Sequence, residues 1–91
     1  MPTSGMPTIS VFYGITIRMH WDEHGPPHFH AIHGGNMAVF AIEDLRVLHG
    51  DLPRRAVDLI LEWARLHQDE LRRNWQLCTA KEAPLKIQPL D

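Results

Sequence analysis

The sequence predicts an α+β fold: a three- or four-stranded antiparallel meander with one long C-terminal helix packed on one face. Three observations carry this. Residues alternate with period two from Ile15, turn-forming residues separate short apolar runs up to residue 51, and apolar residues recur at helical spacing from there to about Leu77. With 91 residues, of which 44% are hydrophobic and 22% charged, the chain has room for one ordered domain, since domains cluster at roughly 100 to 150 residues. A core of this size is thin, so self-association into a homo-oligomer is one way to stabilise it.

Residues 1–8, Met-Pro-Thr-Ser-Gly-Met-Pro-Thr, are small and polar with Pro and Gly between them, and read as a flexible N-terminal extension. The single α+β domain is then residues 9–91. Met-Pro-Thr occurs at position 1 and again at position 6, which marks Met6 as a candidate alternative start.

The clearest strand places Ile15, Ile17, Met19 and Trp21 on one side and Thr16, Arg18 and His20 on the other. A turn-rich segment over residues 22–27 precedes a strand over 28–33. Gly34-Gly35-Asn36 then links that strand to an apolar run from Met37 to Ile42, because these residues accept positive φ at little cost. Leu45 to Leu48 is the candidate fourth strand, ending before His49-Gly50-Asp51.

Asp51-Leu52-Pro53 opens the helix, with Asp51 as the candidate N-cap and Pro53 in the first turn, where a missing N–H costs nothing. At 100° per residue, Ala56, Leu59, Ile60, Trp63, Ala64, Leu71 and Cys78 share an apolar arc of roughly 200°. Arg54, Asp58, Glu62, Arg65, Asp69 and Arg72 lie opposite. A helix this long is unbalanced on a small sheet, and His67-Gln68-Asp69 is where it would divide in two. His67, within the arc, reads as an imidazole satisfied by a neighbour, and Cys78 as a packing residue. Residues 79–91 read as a tail that docks without an element of its own.

A formal net charge of −2 and a pI near 6.4 provide no cationic field for a phosphate backbone, so nucleic acid enters only as a substrate. One cysteine permits no internal disulfide, and no run of about 18 apolar residues occurs, so membrane spanning is not expected and the expected location is cytoplasmic.

The informative stretch is His20 to His33, which holds five of the seven histidines. On a strand, His28 and His30 project from one face about 6.5 to 7 Å apart, and an antiparallel neighbour sets Arg18 and His20 beside them. His24 flanks the group from the turn, while Phe29 and Ala31 face the core. Three chemistries suit such a patch. It serves as a contact surface for a protein partner, with Arg18, His24, His28 and His30 as the binding residues. It cleaves a phosphodiester as a ribonuclease-type toxin, with His28 and His30 as acid and base and Arg18 stabilising the phosphorane; these three are the catalytic candidates. Or it binds a divalent metal such as zinc through His24, His28 and His30, with Asp22 or a third His completing the set; otherwise no cofactor is expected.

Met6-Pro7-Thr8-Ile9-Ser10, Tyr13-Gly14-Ile15, His24 with Pro26-Pro27-His28-Phe29-His30-Ala31, Gly50-Asp51-Leu52-Pro53, Glu62-Trp63, Asn74-Trp75 and Ile87-Gln88-Pro89-Leu90 follow one another in a familiar order. In these words the chain resembles the small bacterial domain-of-unknown-function family 4160. The resemblance implies a bacterial cytosolic protein encoded beside a small protein partner similar to domain-of-unknown-function family 2442, in toxin–antitoxin-like or accessory two-gene modules. It also implies a start at Met6. It brings no catalytic residues with it, and His20 and His33 fall where the pattern does not require His. The expected function is therefore a component of such a module that acts through its partner, with the His24, His28 and His30 region as its surface.

Overall fold

A computed structural model describes residues 6–21 and 24–91. Most of the expected N-terminal extension, residues 1–5, lies outside the described residues. Five strands, β1 (Thr8–Phe12), β2 (Ile15–Arg18), β3 (His28–His33), β4 (Asn36–Ala41) and β5 (Val47–Gly50), are followed by two helices, α1 (Arg54–Leu66) and α2 (Gln68–Thr79). The strands form one antiparallel meander in the order β1-β2-β3-β4-β5. The fold class is thus α+β as expected, with one strand more and the helix in two pieces.

Alternation sets the two faces. Ile15, Ile17, Met19, Phe29, Ala31, Ala38, Phe40 and Ile42 are buried on one of them. Against that face α1 lays Ala56, Ile60, Trp63 and Ala64, and the Trp63 ring sits 5.2 Å from Phe12 and 5.9 Å from Phe29. Burying one large aromatic among two others contributes on the order of 3 kcal/mol, enough to anchor the helix. The opposite face, carrying Val11, Thr16, Arg18, His30, Ile32 and Met37, is half-buried to exposed.

The strand missing from the expectation is β1. A register shift between Thr8 and Ser10 leaves Ile9 and Ser10 both buried, which breaks the two-residue period by which a strand is read. Its hairpin to β2 turns through Tyr13 and Gly14, both at positive φ. The β3–β4 hairpin falls where it was expected, closed by the His33–Asn36 pair around Gly34 and Gly35, whose φ values of 57° and 88° fit a two-residue turn of the primed type.

Two further expectations need correction. The fourth run is not Leu45–Leu48: Leu45 follows the turn at 42–44 with φ 56°, and β5 starts at Val47 and extends through His49 and Gly50, past the expected end. Asp51 does not cap the helix; the N-cap position is Pro53, and no side chain caps it. The break occurs at His67, whose φ −123° and ψ 26° leave the helical region. There Gln68 turns back on the sheet, donating from Nε2 to the carbonyls of Ile42 (2.6 Å) and Glu43 (3.0 Å). The tail docks along β1, with Ile87 N–H bonded to the Ile9 carbonyl at 2.8 Å. Trp63 Nε1 donates to the Gln88 carbonyl at 2.9 Å, and Tyr13 O–H donates to the Asp91 carbonyl.

Candidate functional site

The pairing of β2 with β3 sets Arg18 directly across from His30, and His30 in turn pairs with Val39 of β4. Ile17, Met19, Phe29 and Ala31 point into the core, so Arg18, His28 and His30 lie together on the opposite face, each partly buried. Pro26-Pro27 leads into β3, and the Pro27 carbonyl accepts the Ile42 N–H at 3.0 Å, which ties the loop to the end of β4. His28 Nδ1 lies 2.9 Å from the Pro26 carbonyl. A carbonyl only accepts, so the proton of neutral His28 sits on Nδ1 and Nε2 is its acceptor nitrogen.

The His28 and His30 rings stand 5.4 Å apart, edge to face. Both ring nitrogens of His30 and the Nε of Arg18 are shielded from solvent. Arg18 Nε meets no hydrogen-bond acceptor, and no carboxylate among the described residues lies within ion-pairing distance of this guanidinium. His24 is exposed in the preceding loop. His20 turns its Nδ1 to the neighbouring Trp21 carbonyl at 2.7 Å, and the Trp21 side chain, expected on the apolar side of the strand, is 39% exposed because β2 ends at Arg18. Asp22 lies outside the described residues.

One member was missed from the sequence. Trp75, on α2, packs its ring 4.9 Å from His28 and carries the helix to the edge of the site. Its signal was available: it follows the buried Leu71 by four residues and so shares its stripe. His67 stands outside the site, with Nδ1 2.5 Å from Glu70 and its ring 5.6 Å from Trp63. Cys78 is buried, and desolvation pushes its thiol up to about 11.

At the far end of the sheet a hollow of about 420 Å³ lies between the β1–β2 turn and the start of α1, lined by Tyr13, Ile15, His33, Pro53, Arg55, Ala56 and Leu59. His33 Nδ1 is 3.2 Å from the Gly14 carbonyl there, well away from the Arg18 group.

The family model described as Domain of unknown function (DUF4160) matches residues 14–76, more than half of the chain. The chain belongs to the DUF4160 family. The DUF4160 match takes in Arg18, His24, His28, His30 and Trp75, and leaves β1 and the docked tail on either side of it. No curated protein matches the chain, and no solved structure does. Among the described residues no group of three or more His, Cys, Asp or Glu is arranged to hold a metal, and no helix is long and apolar enough to cross a membrane.

Proposed function

We propose that this DUF4160 chain acts by binding a protein partner through the Arg18, His24, His28 and His30 surface, as one component of a toxin–antitoxin-like or accessory two-gene module. The observation behind this is the one-sided packing of the sheet. Helix α1 covers the Phe29 face, while the opposite face, which Trp75 of α2 reaches only beside His28, sets partly buried polar groups next to apolar Ile32, Val39 and exposed Met37. Polar anchors held by packing, with apolar neighbours, suit protein recognition. The test is complex formation with the small protein encoded alongside, measured by calorimetry. His28→Ala and His30→Ala should each weaken it by about tenfold or more, the usual cost of truncating a contact at the centre of an interface. Normal binding by both variants rejects the reading.

A second reading, phosphodiester cleavage, draws on the His28–His30 spacing of 5.4 Å and on Arg18 opposite His30. Such a pair has the composition of an acid–base couple with a cation for the developing charge. It predicts growth arrest when the protein is expressed alone, abolished by His28→Ala; a harmless wild-type protein at high expression rejects it.

A further inference from the structure

We infer that the hollow between the β1–β2 turn and the start of α1 is a binding site for a small amphipathic acid, a molecule with a compact apolar body and one carboxylate. The body fills the hollow and the carboxylate meets Arg55. The inference is independent of the partner-binding reading, which concerns the Arg18 and His30 face.

Size and lining suit a small molecule. The volume of about 420 Å³ falls inside the range of roughly 300 to 1,000 Å³ that such pockets occupy. Ile15 and Ala56 are buried in its wall, with half-buried Leu59 beside them and Pro53 completing the apolar surface. Water against such a wall finds few hydrogen bonds, so an apolar group that displaces it gains affinity. The Tyr13 ring, 56% exposed, lines the mouth on a backbone held at φ 51°. A bulky residue keeps this strained conformation only where its surroundings enforce it. Here the tail does so, because the Tyr13 hydroxyl donates to the Asp91 carbonyl. The mouth is therefore shaped before a ligand arrives, and the ordering cost of binding is small.

The polar groups of the lining select the head group. Tyr13 O–H is engaged by the tail, and His33 Nδ1 lies 3.2 Å from the Gly14 carbonyl, so both have partners within the chain. Arg55 is exposed, and no carboxylate among the described residues lies within ion-pairing distance of it. A cation in the first turn of a helix opposes the helix dipole, so Arg55 does nothing for α1 by standing there. Its planar fork matches a carboxylate, and its exposure leaves that fork within reach of a ligand in the hollow. An extended peptide is the poorer fit. The nearby sheet edge is taken by the tail, which runs along β1 from Ile87 at Ile9 to Asp91 at Tyr13.

The test records ¹H–¹⁵N spectra of the full-length protein during titration at constant ionic strength. The probes are phenylacetate and hexanoate, which are ring and chain versions of such an acid, the neutral phenylacetamide, and acetate. At least one of the two larger acids should give saturable shifts at the Gly14, His33, Ala56 and Leu59 amides. Phenylacetate should bind about fivefold or more tighter than phenylacetamide, the usual worth of a charge-assisted hydrogen bond. Acetate, which lacks the apolar body, should not saturate there. Arg55→Gln, at an exposed side chain that leaves the core untouched, should abolish the preference for the acid and retain weak binding of the amide. Arg54→Gln should keep that preference. No saturable shift at these amides with either larger acid overturns the site, and equal binding of phenylacetate and phenylacetamide overturns the carboxylate. Full preference retained in Arg55→Gln overturns the role of Arg55. Shifts at the same amides on raising the protein concentration without a probe mean that a second copy occupies the hollow, which overturns the small-molecule assignment.

Discussion

Asn74 and Leu85 exchange two hydrogen bonds: Nδ2 donates to the Leu85 carbonyl and the Leu85 N–H donates to Oδ1, both at 2.8 Å. The Asn74 side chain thereby behaves as a short piece of strand, and the tail gains a backbone partner before it reaches β1. Asn74 is 1% exposed, so water cannot replace either bond. Asn74→Ala should cost about 2 to 3 kcal/mol, combining two lost hydrogen bonds with a small void. Leu85→Ala, at an exposed side chain, should change stability by about 0.5 kcal/mol or less. Urea denaturation followed by Trp fluorescence compares the two; equal midpoints would show that the tail is not held by Asn74.

Gly50 and Gly34 both have positive φ, yet their replacement should differ in cost. A Cβ on Gly50, at φ 84°, runs into the Met37 carbonyl oxygen and comes within 2.9 Å of the Ala38 Cα. Neither backbone atom can yield without parting β4 from β5. Gly50→Ala should therefore lose about 3 kcal/mol or more. A Cβ on Gly34, at φ 57°, meets nothing within 4 Å, so Gly34→Ala should lose about 1 to 2 kcal/mol and Gly34→Asn less. Thermal melts of the three variants give the order directly.

Gln68 and Arg72 both reach from α2 to the end of β4, and burial separates their worth. Gln68 Nε2 serves the Ile42 and Glu43 carbonyls from a partly buried position, whereas Arg72 meets the Glu43 and Asp69 carboxylates at 2.9 to 3.2 Å in exposed surroundings. Solvent and salt screen the second set. Gln68→Ala should cost about 1 to 2 kcal/mol irrespective of salt. Arg72→Gln should lower the urea midpoint slightly at low ionic strength and not measurably at 0.5 M sodium chloride. Urea midpoints at both salt concentrations check the contrast.

What the residue order made legible was whatever depends on local period. Strand β3 and the Gly34-Gly35 hairpin were readable because alternation and turn chemistry agree there, and the Arg18–His30 juxtaposition followed from them. Strand β1 was not readable, since its bulge sets Ile9 and Ser10 inward in succession. Residue His49 belonged to β5 because pairing with Val39, a contact between distant segments, outweighed a loop-like local sequence. The same holds for Trp75 against His28 and for Asn74 against Leu85: each depends on where α2 goes after the His67 break.

Cys78 links burial to reactivity and to pH. Its side chain is wholly buried and desolvation raises the thiol to about 11, so almost no thiolate exists in the folded protein at neutral pH. Iodoacetamide labelling at pH 8 should be slow and should accelerate only under conditions that unfold α2. Fast labelling of the native protein would mean that this helix opens on its own. The folded value lies above the unfolded one, so the unfolded chain gives up this proton first. The contribution to stability is complete below pH 9 and is lost as pH rises towards 11. Cys78→Ala should therefore show a smaller fall in melting temperature between pH 8.5 and pH 10.5 than wild type, even though its truncated side chain lowers the melting temperature at both.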